Sequence, residues 1–347
     1  MSDFFHSFNA VRGIQAGRPC YIAMCPMRII PKIFVFNEDE VPPEIRAQRK
    51  LNKGRIPEMA NYLINNQKDY ILSSLTASID GETEFEPFSD NPGENNIGTF
   101  KISMDAQILI NDGQHRRAAI EAAVKNETNL GHDHISVVFF LDNGLKKSQQ
   151  MFADLNKHAV RPSPSLSTLY DQREGLSNIA RRVMNDVHIF SKLTETELTS
   201  ISNRSIKLFT LSSIKNANKA LLNKSKNDHI SEDEVLTAID YWKYIVSNIR
   251  DWNLASERQV NSWELRETYI HAHGVLLHAF GILGSQIIHD KASWSSLDKL
   301  SSIDWSRKSK LWKGRAVVNG RITKSITNVK LTASQIKIQI GLKLTTD

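Results

Sequence analysis

Residues 107–126, QILINDGQHRRAAIEAAVKN, change character halfway along. Gln107–Asn111 is a short apolar, partly β-branched run of strand type. The stretch RRAAIEAAVKN that follows reads as a helix. Between them stand Asp112, Gly113, Gln114, His115 and Arg116. A strand handed directly to a helix is, physically, an anion site. The first helical turn offers unpaired N–H groups and the positive end of a dipole, and Gly113 lets backbone approach a ligand. Arg116 and Arg117 add charge, and an exposed Arg116 can grip a phosphate bidentately. His115 can donate to a phosphate oxygen. Asp112 can cap the helix, hold a ribose or hold a metal-bound water. The plainer alternative is an Asp112 N-cap followed by surface bases; five such residues at one junction favour function.

Working outward, the first half is mixed. The apolar run 21–36 is broken by Pro26 and Pro31 and predicts short strands. Pro57 opens a helix through PEMANYLINN. Gly81–Gly98 holds five acids, no base and two prolines, the composition of a surface loop. Ile135–Leu141 is β-branched and aromatic and predicts a strand. Two further polar, basic sets flank the junction in sequence. Arg46, Gln48, Arg49, Asn52, Lys53 and Arg55 precede the Pro57 helix; Asn156, Lys157, His158 and Arg161 follow a helix at SQQMFADLN. Each can be a solvated face, but three such sets in one α/β unit are better explained by convergence on a single anionic ligand.

After Pro164 the spacing turns helical in LSNIARRVMNDVHIF, TLSSIKNANKALLNK and SEDEVLTAIDYWKYIVSNIRDW. Ser231 and Glu234 form a capping-box pair, and a long helix is expected over Glu264–Ile288. Pro162 and Pro164 place a boundary at Arg161–Ser165, giving domains 1–164 and 165–347. AVVNGRIT predicts a hairpin turning at Asn319-Gly320. Gly281 and Gly284 suit close helix packing.

Lysine and arginine total 44 against 38 acids, and ten of those bases but one acid fall in residues 305–347. The rest of the chain is therefore net acidic. Arg307, Lys308, Lys310, Lys313, Arg315, Arg321 and Lys324 head this basic segment. It suits a polyanion, though from charge alone a solvated face explains it equally well. Cys20 and Cys25, the two cysteines, exclude a disulfide framework and a four-cysteine zinc site. No signal-type N-terminus is present, and the most apolar stretch, Gly274–Ile288, is too short to span a bilayer, so a cytoplasmic protein is expected. His271, His273 and His278 lack a completing ligand, and no metal site is expected. No Walker A, nucleophile elbow or HExxH motif occurs.

INDGQHRRAAIEAA resembles the signature of DGQHR-domain proteins. RAQRKLNKGRIPEMANYL, DYILSSLTASIDG, QQMFADLNKHAVRPSPSLSTLYD, RSIKLFTLS and NVKLTASQIKIQIGLKLT resemble blocks of the DndB family, in DndB order and over nearly the whole chain. That family serves bacterial DNA phosphorothioate, or backbone sulfur, modification. The resemblance implies an α+β protein: a ParB/sulfiredoxin-like N-terminal domain, then a mainly helical domain with a small basic hairpin and tail at 305–347. In related folds the junction equivalent to Gly113–Arg116 binds nucleotide phosphates, so a nucleotide is the one cofactor the resemblance suggests. It also implies a regulatory role: a DNA-binding transcriptional repressor of the modification genes.

Under that expectation the partners are double-stranded DNA at the protein's own promoter, other Dnd proteins, and a second copy forming a dimer. Base readers would be the hairpin, flanked by Arg315 and Arg321, or a helix at Arg204–Lys219 presenting Arg204, Lys207, Lys215 and Asn218. The rival is a nucleotide-hydrolysing enzyme at the junction, disfavoured by a separate basic segment and by the lack of a carboxylate pair for Mg²⁺ near Asp112. A scaffold recruiting modification enzymes is a third reading. Cys20 and Cys25 read first as small hydrophobes, with a sulfur-acceptor role open for either.

Overall fold

A computed structural model describes residues 4–34, 54–142, 148–157 and 162–342. The chain forms two units, residues 1–160 and 161–347, each with its own core.

The first unit contains β1 (Phe5–Gln15), β2 (Arg18–Pro26), α1 (Ile30–Ile33), α2 (Arg55–Asn65), β3 (Leu75–Asp80) and β4 (Thr83–Pro87). It continues through β5 (Ile97–Ser103), β6 (Gln107–Asp112), α3 (Gln114–Asn126), β7 (His134–Leu141) and α4 (Ser148–Lys157). The strands form one sheet in the order β4-β5-β1-β2-β7-β3-β6, antiparallel except where β3 lies parallel to β7. β1 and β2 form a hairpin whose turn residues Ala16 and Gly17 both take positive φ, 51° and 74°, as a right-twisted two-residue turn requires. Alternation along the strands then sorts the faces. Phe8, Ala10, Tyr21, Ala23, Cys25, Val137 and Phe139 are buried in one core with Ile30, Phe34, Leu63 and Ile120 from α1, α2 and α3.

Two expectations for this unit change. Over its described residues, 21–34, the 21–36 run is not a set of short strands. β2 continues to Pro26, and Pro31 sits in the first turn of α1, where a missing N–H costs nothing. The acidic loop 81–98 contains the edge strand β4, in which acids alternate with Phe85. Glu84 and Glu86 pair with Lys101 of β5 while Phe85 packs on Tyr21, ring centres 5.5 Å apart. Charges on the outer face of an edge strand discourage pairing with other chains.

The second unit is helical: α5 (Pro164–Tyr170), α6 (Gly175–Asp186), α7 (His188–Leu193), α8 (Leu211–Leu221), α9 (Glu232–Ser247), α10 (Arg250–Ser256), α11 (Ser262–Thr268), α12 (Gly274–Gly284) and α13 (Ile326–Ile340). Two small strand pairs are added, β8 (Thr194–Glu195) with β9 (Phe209–Thr210) and β10 (Val317–Val318) with β11 (Arg321–Ile322). The Ser231/Glu234 capping box is formed. The hairpin turns at Asn319 and Gly320 with φ of 50° and 74°. Gly281 and Gly284 lie where α12 meets α8; a Cβ on Gly281 would stand 2.2 Å from the Ala217 carbonyl oxygen.

The long helix expected over 264–288 is broken. Tyr269 is extended and bridges Ser306, and His271 is drawn fully into the core, where its Nε2 meets Asp251 Oδ2 at 2.9 Å. The expected Arg204–Lys219 helix begins only at Leu211, capped by Thr210. Residues 305–342 are no tail. Trp305 and Trp312 stack at 5.3 Å inside the core, and α13 buries Val329, Ile336 and Ile340 against it. Among the described residues no helix is long and apolar enough to cross a membrane.

Candidate functional site

β6 meets α3 across an irregularity in its pairing with β3: Thr76 faces Asp112, but Ala77 faces Ile110. The extra residue, Asn111, is buried and accepts from Ser78 Oγ at 2.9 Å. Gly113 follows at φ 103° and occupies the N-cap of α3. A side chain there would be strained in the left-handed region and would place its Cβ 2.4 Å from Leu75 Cδ2. Gln114 is buried and donates to the Ile110 carbonyl at 3.3 Å.

The arginines turn inward. Arg116 donates from Nη1 to the carbonyls of Ser73 and Ser74 at 2.8 and 2.7 Å and to Ser73 Oγ. Its Nη2 reaches Asp112 Oδ2 at 2.6 Å. Arg117 donates to the carbonyls of Phe34 and Pro31, both at 3.1 Å, and to Glu121 Oε2 at 2.6 Å. The two side chains are 14% and 13% exposed. Arg116 is thus not the exposed residue the sequence suggested. Asp112 does not cap the helix, because its carboxylate is spent on Arg116 while Gly113 takes the cap position with no side-chain bond. Together these residues form a brace tying the β6–α3 turn to the entry of β3 and the end of α1. His115 is half-buried beside them.

The convergence of three sets on one ligand is described only in part. Arg46, Gln48, Arg49, Asn52, Lys53, His158 and Arg161 lie outside the described residues, as does the side chain of Asn156; Arg55 and Lys157 are exposed. Cys25 is fully buried and its thiol is pushed up to about 12 by loss of solvent, so it holds its proton and is a poor nucleophile. Cys20 is partly exposed.

In the second unit the structure divides the basic segment. Arg307 donates to the Glu267 carbonyl at 3.1 Å and Arg315 to the Leu311 carbonyl at 3.1 Å, so both knit loops. Lys308, Lys310, Lys313, Arg321, Lys324 and Lys330 are exposed. None of these six takes part in an ion pair among the described residues. The helical base reader is not assembled. Arg204 and Lys207 precede α8, Lys215 is bound to Glu174 at 2.5 Å, and Asn218 is buried against the Trp242 indole N–H at 3.0 Å.

The sequence offered His273 only as part of an incomplete metal set and gave no sign of its surroundings. Its Nε2 donates to the Arg266 carbonyl at 2.8 Å, and burial, with Arg307, Lys324 and Arg266 nearby, pushes it down to about 4. Only the fold brings those three cations around it.

One family model, described as DndB, DNA-sulfur modification-associated, matches residues 8–343 of the chain. No curated protein and no solved structure matches it.

Proposed function

The chain belongs to the DndB family, associated with DNA sulfur modification, and on that premise we propose that it is a DNA-binding regulator repressing its own modification gene cluster. The observation that carries this reading is the set of six exposed cations on residues 308–330, in no ion pair among the described residues, on a stretch without a single acid. Phosphates supply most of the affinity of such a surface and make it salt-dependent. In this reading Lys308, Lys310, Lys313 and Lys324 contact backbone phosphates. The β10–β11 hairpin, with Arg321 beside its turn, enters a groove to reach base edges, because phosphates alone carry no sequence. A dimer of the chain then reads a palindromic site.

The rival reading, nucleotide hydrolysis at the β6–α3 junction, has lost its two strongest phosphate ligands. Arg116 and Arg117 spend donors on protein carbonyls and carboxylates. The test is a salt-titrated binding assay on the promoter duplex of its own gene cluster beside a random duplex. Preference for the promoter, with no triphosphate hydrolysis above background, is the expected result. Equal affinity for both duplexes, or hydrolysis lost in His115→Ala, overturns the regulator reading.

A further inference from the structure

A cavity of about 680 Å³ in the second unit lies between the end of α7, the loop 204–207 and the α10–α11 connection. Its volume is in the range that encloses a nucleotide-sized molecule. Lys192, Arg204, Lys207 and Arg258 all line it, and no acidic side chain does so among the described residues. Lys207 is fixed, its Nζ donating to the Lys192 carbonyl at 2.8 Å. Lys192, Arg204 and Arg258 are exposed at the rim. This contrasts with Arg116, Arg117, Arg266, Arg307 and Arg315, whose guanidinium groups are bonded to backbone carbonyls.

The backbone at Arg258 is a second, independent sign. It takes φ +61° just past α10. Its N–H bonds to the Ala255 carbonyl at 3.1 Å, and the N–H of Gln259 to the Leu254 carbonyl at 2.8 Å. That is the helix-ending position where glycine is the favoured residue, because any Cβ is crowded there. The chain places a long cation instead, against local preference, and strain of this kind concentrates at functional sites. Leu193, Ile206 and Val260 give the same cavity an aliphatic wall. Asn261 uses Oδ1 to cap α11 through the Trp263 N–H at 2.9 Å, which leaves its amide NH₂ as a donor.

We propose that this cavity binds a small phosphate-bearing ligand of nucleotide size, its phosphates held by Arg204 and Arg258 and its apolar part against Leu193 and Val260. Four cations with no acid beside them in the described lining suit a polyphosphate better than a monocarboxylate, which one guanidinium would satisfy. The site does not depend on the DNA reading.

The test is calorimetric titration of the full chain with inorganic pyrophosphate, AMP and ATP, and separately with a short random duplex. ATP is expected to bind more tightly than AMP. Arg204→Ala and Arg258→Gly are each expected to weaken ATP by roughly tenfold, about the loss of one charge-assisted contact. Glycine relieves the strained backbone, so Arg258→Gly should melt no lower than the unaltered protein; weaker binding then cannot come from unfolding. The proposal is overturned if none of the three phosphates binds at millimolar concentration. It is equally overturned if both variants bind ATP as the unaltered protein does, or if the two substitutions weaken only the duplex, which would make the cavity part of a DNA surface.

Discussion

Arg116 illustrates how a residue suited to ligand binding is used to hold the chain together. Its guanidinium serves the carbonyls of Ser73 and Ser74 and the Asp112 carboxylate, the last two in a part-buried setting. Arg116→Ala strands those acceptors, and the expected loss is about 2–3 kcal/mol of stability, read as a lower denaturant midpoint. Arg116→Lys is expected to rescue little, since one ammonium cannot span the fork geometry. An unchanged midpoint would mean that the brace does not stabilise the turn. His273 gives a second residue-scale prediction. Its folded value, about 4, lies below the 6.5 of an unfolded histidine. Between those values the unfolded chain binds the extra proton, so stability falls as pH drops from about 6.5 towards 4, by up to about 3 kcal/mol. His273→Gln should flatten that part of a stability–pH curve; an identical slope would show that other groups set it.

At the scale of elements, α8 and α12 pack through Gly281 so closely that a Cβ there meets the Ala217 carbonyl oxygen. Gly281→Ala gains helix propensity of about 1 kcal/mol in isolation, but overpacking against rigid backbone costs about 1–3 kcal/mol. Net destabilisation in a urea melt is expected; a stabilised variant would mean that the helices can part. Such close packing was legible in the sequence, as were the β6–α3 hand-over, β7, the capping box and the Asn319-Gly320 turn, because each is decided by neighbouring residues. The break between α11 and α12 was not legible. It depends on Asp251 capturing His271 and on Tyr269 bridging Ser306, partners 20 and 37 positions away. β3 gave no local signal for the same reason, since its partners β6 and β7 are remote in the sequence. The junction's polar residues were visible, yet the acceptors that fix Arg116 and Arg117, at Ser73, Ser74, Pro31 and Phe34, come from elsewhere in the chain.

Across the whole molecule, charge is segregated: the first 304 residues are net acidic, while 308–330 expose six bases. If that stretch meets DNA, affinity falls by roughly 0.9 log units per log unit of salt for each phosphate neutralised. Replacing Lys308, Lys310, Lys313 and Arg321 together with alanine should flatten the slope by several such increments. An unaltered slope would place the contact on other parts of the protein. The six tryptophans follow a different division, since every one lies beyond residue 160. Five are buried and Trp263 is 38% exposed, while the stacked rings of Trp305 and Trp312 lie nearly parallel, their planes 6° apart. Indole emission therefore reports the second unit alone and is silent about the first. An unfolding curve followed at tryptophan wavelengths measures half the protein, and the stacked pair should give its own exciton signature in circular dichroism, vanishing when that half opens.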